Sequence, residues 1–303
     1  MTVVIPTYNR ASILVRAIRS VLAQTLQDWE LILVDDCSTD ETEQVVKSFS
    51  DDRIKYIRHD RNRRVSAARN TGIRCARGEY VAFLDDDDEW LPEKLQKVLE
   101  VFRSSDPEVG LVYTGEMILD ARGQVVEISK ATKSGWIYEA VLASCFIGSP
   151  SRVTVKKQVL DRVEGFDEKL LNLEDCELWL RVAKVSKVAC VPSCLVKRHF
   201  ISEWKTARLL NMCEAWDRIL RKHRSEMKPR IVAGHLSRIA ILLFNYDPCR
   251  ARAVAWEGFR TWPIQPLLLG ALAVSTLGVS RYRWVFSKMI KLGDRLSIGR
   301  ARL

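Results

Sequence analysis

The sequence predicts an α/β fold with a mostly parallel central sheet flanked by helices. Short apolar, β-branched runs alternate with amphipathic helical stretches along residues 1 to 113. This alternation is typical of parallel sheets, because a crossover helix returns the chain to the same edge. Polar or acidic residues directly follow three of the strands. The composition, 47% hydrophobic and 28% charged over 303 residues, is that of a globular protein with a sizeable core.

The N-terminal elements are predicted from the spacing of apolar residues. Residues 13 to 22 repeat at helical spacing after the first strand, and Ser38 with Glu41 is typical of a capping box that opens the second helix. Pro92 stands near the start of a further helix, where proline is favoured. The predicted strands are 1–5, 30–34, 53–58, 80–84 and 109–113, and the predicted helices are 13–22, 38–49, 66–77 and one from about 92.

The middle of the chain is less regular, and the pattern becomes helical from about residue 203. No Gly/Ser-rich linker marks the change. We place a domain boundary near residue 200, with a main domain at 1–200 and a basic, mainly helical C-terminal region at 201–303. The expected elements of the middle section are strands at 124–128, 152–155 and 187–191 and helices at 137–145 and 174–185.

Positive charge is concentrated in the C-terminal region. Residues 201–303 hold 19 of the 48 basic and 7 of the 38 acidic side chains, which suits the phosphates of lipid headgroups, nucleic acid or an anionic substrate. An apolar stretch at 262–280 is interrupted by prolines and is too short to cross a bilayer. We expect a helix that either rests on an anionic membrane surface or packs inward with solvated arginines outside. Nucleic acid is not an expected partner, because no helix-turn-helix or RNA-recognition motif is present.

The eight cysteines are scattered, without a CxxC pair or the compact spacing of a zinc site or disulfide framework. The first residues enter a strand directly, without the pattern of a secretory signal. These features predict reduced thiols and a cytoplasmic protein.

The chemically informative residues lie where strands end. In an open parallel sheet, ligands bind beyond the carboxyl ends of the strands. Neither GxGxxG nor GxxxxGK(S/T) is present, so dinucleotide-dependent dehydrogenases and P-loop NTPases lose their main support. Three strands end in polar or acidic residues: Pro6, Thr7 and Tyr8 after the first, Asp35 and Asp36 after the second, and Asp85 to Asp88 after the strand at 80–84.

The aspartate run Asp85–Asp88 is the sharpest of these signals. Consecutive carboxylates repel one another unless a cation neutralises them. Hard oxygen ligands suit Mg²⁺ or Mn²⁺, ions that commonly bridge a carboxylate to a diphosphate. The alternative is a solvated acidic turn that caps the helix near Pro92.

Two other carboxylate positions have both a functional and a structural interpretation. Asp36 can accept the N–H of a nucleobase on which Tyr8 stacks, or it only caps the next helix. Glu174 and Asp175 open a predicted helix, where they are either reactive acids or first-turn residues favoured by the helix dipole.

Taken together, the motifs resemble those of family 2 glycosyltransferases. The resemblance covers residues 1–200, in order and at plausible spacing. It is carried by VVIPTYNR at 3–10, VDDCSTD at 34–40, ARN at 68–70, GEY at 78–80, FLDDDD at 83–88, GFDE at 165–168 and LEDCELWLR at 173–181.

The resemblance implies a GT-A fold, which is Rossmann-like, for residues 1–200, with 201–303 as a helical extension. It implies inverting transfer of a sugar, of the hexosyl type, from a nucleoside diphosphate donor to a hydroxyl. A UDP-sugar is the favoured donor, and a glycan or lipid-linked molecule is the acceptor, in the synthesis of surface polysaccharide, glycolipid or glycoprotein glycan. The enzyme would then work in the cytoplasm, on the cytoplasmic face of the membrane.

The same resemblance implies a role for individual residues. Pro6, Thr7, Tyr8 and Asp36 would hold the base and ribose, Arg69 would lie near the nucleotide or diphosphate, and Asp85 and Asp86 would reach the ribose or the water shell. Asp87 would contact Mn²⁺ or Mg²⁺ directly, with Asp85 and His199 as further candidate ligands. Asp175, beside Glu174, would be the catalytic base, and Ser149 would lie on the acceptor side.

Two other classes of function stay open on the sequence. A non-catalytic nucleotide-sugar-binding module requires Asp175 to be misplaced or buried against an arginine. A basic lipid- or nucleic-acid-binding protein makes the acidic residues incidental. The chain also departs from the family pattern at Arg64, where members often carry glycine; if that position requires a positive φ, the loop must differ.

Overall fold

The computed structural model of the chain describes residues 1–199, 206–244 and 246–263. The chain forms two compact units, Met1–Glu203 and Trp204–Leu303. The assignment of a catalytic domain and a basic appendage to these parts stays a prediction.

The first unit is built on one mixed sheet. Its strands are β1 (Thr2–Thr7), β2 (Glu30–Asp35), β3 (Ile54–Arg58), β4 (Tyr80–Phe83), β5 (Glu89–Trp90), β6 (Val109–Leu119), β7 (Val125–Ser129), β8 (Val153–Lys156) and β9 (Lys187–His199). They lie in the order β3-β2-β1-β4-β8-β6-β9-β5, and β7 pairs with β6. β3, β2, β1 and β4 run parallel, and β6 runs parallel to β9. β8 is antiparallel to both β4 and β6, so it joins two parallel halves.

Helices connect these strands and cover the sheet. In the first unit they are α1 (Ala11–Leu22), α2 (Thr42–Lys47), α3 (Arg64–Cys75), α4 (Lys94–Ser104), α5 (Tyr138–Ala143), α6 (Lys157–Arg162) and α7 (Glu174–Val185), with a short 3₁₀ turn at Pro150–Arg152. α7 has the predicted bounds, because its apolar spacing and its acidic first turn agree.

The apolar core explains why polar or acidic residues follow the interiors of β1 and β2 and do not interrupt them. β1 is buried along its whole length and β2 along nearly all of it, so their interiors accept apolar side chains. α1 packs Leu14, Ile18 and Val21 against them from one face. Each such side chain contributes about 1.5–3 kcal/mol when buried. The carboxyl ends of β1, β2 and β4 are therefore the first places where polar side chains are accommodated.

Ser38 does not open a helix, so the predicted capping box is wrong. α2 begins at Thr42, and its N-cap residue Glu41 makes no side-chain cap bond. The Ser38 hydroxyl instead donates to Asp35 Oδ1 at 2.5 Å and accepts the backbone N–H of Asn9 at 2.9 Å. A serine that bonds locally in a turn is not available as a cap.

β9 extends well beyond the predicted end at residue 191. Pro192 and Ser193 break the apolar pattern, which is why the sequence predicts a stop. In the structure the pairing with β6 shifts register at Gly115 and resumes at Cys194, so the strand reaches His199. This extension brings Arg198 and His199 towards the carboxyl end of β6.

Cys145 and Cys176 form a disulfide, so the expectation of reduced thiols is wrong for this pair. The other six cysteines are free. The bond ties the loop after α5 to the first turn of α7.

The second unit is helical where it is described. It contains α8 (Thr206–His223), a 3₁₀ turn (Arg224–Glu226), α9 (Pro229–Leu243) and α10 (Pro248–Thr261), and Ile239, Leu243 and Ala251 lie in its core. Within the described part of the chain, no helix is long and apolar enough to cross a membrane. Most of the apolar stretch at 262–280 and the basic residues at 281–302 lie outside the described residues. Six basic side chains are exposed at the end of α8 and the start of α9: Arg218, Arg221, Lys222, Arg224, Lys228 and Arg230.

Candidate active site

The ends of β1, β2 and β4 form one rim of the sheet. Thr7 pairs with Asp35 in the register, and the backbone N–H of Asp36 donates to the carbonyl of Thr7 at 2.9 Å. On the other side of β1, the backbone N–H of Leu84 donates to the carbonyl of Val4 at 3.0 Å. The predicted nucleotide residues and the aspartate run are thus delivered to the same edge.

Asp36 is a buried anchor for the loop that precedes α3. Its Oδ1 accepts the backbone N–H of Arg63 at 2.8 Å and lies 2.7 Å from His59 Nδ1, and its Oδ2 accepts the backbone N–H of Arg64 at 2.6 Å. A carboxylate has about four lone pairs, so Oδ2 retains capacity for one more donor such as a base N–H. Tyr8 is 44% exposed beside it, so its ring is open to a stacking partner.

Family members often carry glycine at the position of Arg64. Arg64 has a φ of 72°, which is the left-handed conformation that favours glycine. The loop therefore has a positive φ at this position although the residue is arginine. We expect Arg64→Gly to raise the free energy of unfolding by up to about 1 kcal/mol, because removing left-handed strain outweighs the entropy cost of glycine. Urea unfolding measures the change. Arg63→Gly is the control, because Arg63 has a φ of −118° and is expected to lose stability; equal effects of the two variants would contradict the explanation.

The four aspartates have different partners. Asp85 accepts a hydrogen bond from Arg69 at 2.7 Å, and Asp87 accepts one from Arg10 at 2.7 Å. Asp88 accepts the hydroxyl of Ser151 at 2.5 Å. Asp86 lies 3.6 Å from the Arg10 guanidinium.

The run is not a solvated turn, because Asp86 and Asp88 are buried. Burial raises the pKa of Asp86 to about 7, against the opposing charge of Arg10. Burial and the charges of Asp85 and Asp87 raise the pKa of Asp88 well above its usual range. Burial is thus the main reason that these two carboxyl groups resist ionisation.

Glu174 and Asp175 stand on the first turn of α7 and have different surroundings. Glu174 accepts a hydrogen bond from Arg69 at 2.8 Å. Asp175 accepts the backbone N–H of Cys176 at 2.7 Å. Burial and the neighbouring charge of Glu174 raise the pKa of Asp175 to about 7. Because Arg69 contacts both Asp85 and Glu174, the two acidic clusters, far apart in sequence, lie together.

Ser149 immediately precedes the 3₁₀ turn at Pro150–Arg152, and His199 is the last residue of β9. The Ser149 hydroxyl donates to Glu116 Oε2 at 3.3 Å, and Arg198 lies 3.6 Å from the same carboxylate. His199 Nε2 lies 3.7 Å from Glu89 Oε2, and burial with the charge of Arg16 lowers the pKa of the imidazole. Among the described residues, no three His, Cys, Asp or Glu side chains are assembled to hold a metal ion. Asp85, Asp87 and His199 are therefore not a ready-made ligand set.

Sequence reasoning missed several residues that shape the site. Arg10 and Arg16 contact Asp87 through its carboxylate and its carbonyl, and Ser151 connects the backbone N–H of Asp85 to Asp88. Asn70 belongs to the ARN motif, but the sequence alone assigns it no contact, whereas the structure bonds it to the backbone of Phe166. The sequence does contain a signal for Arg10. It is a basic residue at the end of the first motif, and that motif and the aspartate run are both predicted to lie at the same edge of the sheet. The contacts of Ser151 could not be predicted from the sequence, since they depend on the insertion of β8 beside β4.

Comparison with known proteins identifies the family. Residues 2–140 match the sequence family described as Glycosyl transferase family 2. An Escherichia coli protein named UDP-Glc:alpha-D-GlcNAc-diphosphoundecaprenol beta-1,3-glucosyltransferase WfgD is 31% identical over 72% of this chain and 84% of its own length. The chain belongs to glycosyltransferase family 2. The predicted family and enzyme class are thereby confirmed.

Further relatives of this family 2 glycosyltransferase differ in how much of their length it spans. The putative teichuronic acid biosynthesis glycosyltransferase TuaG of Bacillus subtilis is 29% identical over 69% of this chain and 84% of that protein. An uncharacterized glycosyltransferase of Rickettsia conorii, RC0461, is 32% identical over 65% of this chain, but the chain spans 32% of that relative.

Solved structures confirm the predicted GT-A fold. The structure of S. aureus TarS 1-349 in complex with UDP has a TM-score of 0.62 at 19% identity and covers 90% of this chain and 86% of its own. Mannosyltransferase PcManGT from Pyrobaculum calidifontis, in complex with GDP-Man and Mn²⁺, has a TM-score of 0.60 at 18% identity. The match covers 96% of this chain and 79% of the mannosyltransferase.

Proposed function

We propose that this family 2 glycosyltransferase transfers a sugar, with inversion, from a UDP-sugar to a hydroxyl of a glycan or lipid-linked acceptor. The observation that carries the proposal is the contact of Asp85 and Glu174 with one guanidinium, that of Arg69, at 2.7 and 2.8 Å. This contact brings a candidate diphosphate-side cluster and a candidate base together. The donor and acceptor classes are supported by the similarity to WfgD, named as a UDP-Glc-dependent glucosyltransferase that acts on a diphosphoundecaprenol-linked sugar, and to TarS, solved in complex with UDP.

Asp175 is the proposed catalytic base. An inverting displacement needs a base opposite the leaving diphosphate, near enough to take the acceptor hydroxyl proton. A carboxyl with a pKa of about 7 is ionised in part at neutral pH and holds a proton well once it has taken it. Arg69 pairs with Glu174 rather than Asp175, which disfavours the non-catalytic alternative.

The aspartate run offers part of a site for a divalent ion. Asp87 and Asp85 supply oxygen donors, the ligand type that Mg²⁺ and Mn²⁺ prefer, and each side chain is 25% exposed. Asp87 would hold the ion, with Asp85 beside it and His199 as a further candidate, and oxygens of the donor and of water would complete the ligand set. When bound, Mn²⁺ or Mg²⁺ stabilises the charge of the leaving diphosphate.

Binding and turnover of UDP compounds test the proposal. Calorimetry is expected to show that UDP binds more tightly with Mn²⁺ than without it. A panel of UDP-sugars is expected to contain a donor that the enzyme slowly hydrolyses. Failure of UDP to bind under both conditions would contradict the donor assignment.

The pKa of Asp175 predicts how the rate depends on pH. The ionised carboxylate is the active form of a base, so kcat/KM is expected to rise with pH, to reach half of its plateau near pH 7 and to level off above about pH 8, with about one tenth of the plateau at pH 6. Glu174→Gln is expected to move the midpoint to lower pH, because the charge of Glu174 raises the pKa of Asp175. Initial rates between pH 5.5 and 8.5 measure both, and a flat profile across that range would rule out Asp175 as the titrating base.

We also propose a cytoplasmic enzyme that rests on the membrane surface. The exposed basic side chains between Arg218 and Arg230 support contact with anionic headgroups. Sedimentation with anionic vesicles, compared with neutral vesicles, tests this part separately.

A further inference from the structure

Arg69 occupies a buried position between three elements. It stands on the second turn of α3, and its side chain is 5% exposed. Nη2 donates to Asp85 at the end of β4, and Nη1 donates to Glu174 at the start of α7. The guanidinium carbon lies 5.2 Å from the centre of the Phe166 ring, which adds a cation–π contact.

The guanidinium fixes the distance between the two acidic clusters. Its nitrogens are held in one rigid plane, so two carboxylates bonded to different ends of the fork have a set separation. The next residue reinforces this arrangement. The Asn70 side chain donates to the carbonyl of Phe166 at 2.9 Å and accepts its N–H at 2.8 Å, which holds the segment leading to α7.

A direct contact of Arg69 with the donor does not suit this geometry. Both terminal nitrogens already bond carboxylates, and Nε is shielded from solvent without a partner among the described residues. With its side chain 5% exposed, the guanidinium presents little of its remaining N–H groups to a diphosphate.

We propose that Arg69 is a positioning residue that neutralises Glu174 and holds the first turn of α7 at a fixed place relative to the aspartate run, so that Asp175 is left to act on the acceptor. This role rests on the proposed function. It replaces the expectation that Arg69 binds the nucleotide or diphosphate.

Arg69→Met tests the role, because methionine fills much of the same volume and removes the fork. We expect kcat to fall about 100-fold, the size of effect that a misplaced reacting group produces, with the Kd for UDP and Mn²⁺ within about twofold of the parent. Arg69→Lys is expected to recover only part of kcat, since one ammonium group does not bridge both carboxylates. Glu174→Gln removes the charge of the partner carboxylate instead. Because both substitutions remove the same interaction, the double variant Arg69→Met with Glu174→Gln is expected to lose no more kcat than Arg69→Met alone.

Arg181→Met is the matched control. Arg181 pairs with buried Glu177 on the same helix at 2.6 Å and donates to the carbonyl oxygens of Val163 and Gly165. It is expected to unfold at a lower temperature with kcat within about twofold of the parent. A tenfold loss of UDP affinity in Arg69→Met at unchanged kcat would overturn the positioning role and restore a donor contact. Equal losses of kcat in Arg69→Met and Arg181→Met would show that Arg69 only stabilises the fold. A parent enzyme that neither binds UDP nor transfers sugar would instead overturn the proposed function.

Discussion

Asp175→Asn is expected to lower kcat by about 10³-fold while UDP affinity in the presence of Mn²⁺ is retained. The amide has almost the same shape as the carboxylate, so it keeps the hydrogen bond from Cys176 but takes no proton from the acceptor. Steady-state transfer measures kcat, and calorimetry measures UDP binding.

Asp161→Asn is the control for this experiment. Asp161 is an exposed carboxylate on α6 that pairs with Lys157 at 2.5 Å, and it lies outside the proposed site. We expect its kcat to equal that of the parent. Sugar transfer that survives Asp175→Asn at the parent rate would rule out this residue as the base.

Asp87→Asn is expected to abolish the increase in UDP affinity that Mn²⁺ produces. Its side chain is 25% exposed, against 11% for Asp86, so it is the more accessible of the two carboxylates next to Arg10. The neutral amide is a weak ligand for a hard ion, and the loss is expected to be about tenfold or more. Titration of UDP into the variant, with and without Mn²⁺, measures the difference.

Asp52→Asn separates this effect from a general change in charge. Asp52 is exposed in the turn before β3, far along the chain from the aspartate run. It is expected to keep the full Mn²⁺ effect. An unchanged Mn²⁺ effect in Asp87→Asn would show that the ion is held elsewhere.

The parallel half of the fold was predictable because its signals are local. β1, β2 and β4 are continuous apolar runs, and the acidic residues that follow them mark their ends. α7 was predictable because apolar spacing and a charged first turn coincide. These features depend on neighbours within a few residues.

The partners of the acidic residues were not predictable, because they come from distant parts of the chain. Arg69 meets Glu174 across 105 residues, and Ser151 meets Asp88 across 63. The disulfide joins cysteines 31 residues apart, with no spacing that distinguishes them from the other six. At Arg64 the departure from the family pattern was visible, but the outcome depended on Asp36 accepting the adjacent N–H groups.

The short strand β7 has a consequence for handling the protein. Val125, Val126 and Ile128 are 49%, 55% and 58% exposed, and among the described strands β7 pairs only with β6. An apolar strand with an unpaired margin is a template on which another polypeptide can add. Concentrated solutions are therefore prone to self-association through this margin, and a lysine introduced at position 126 would oppose it by placing charge where a second strand would dock.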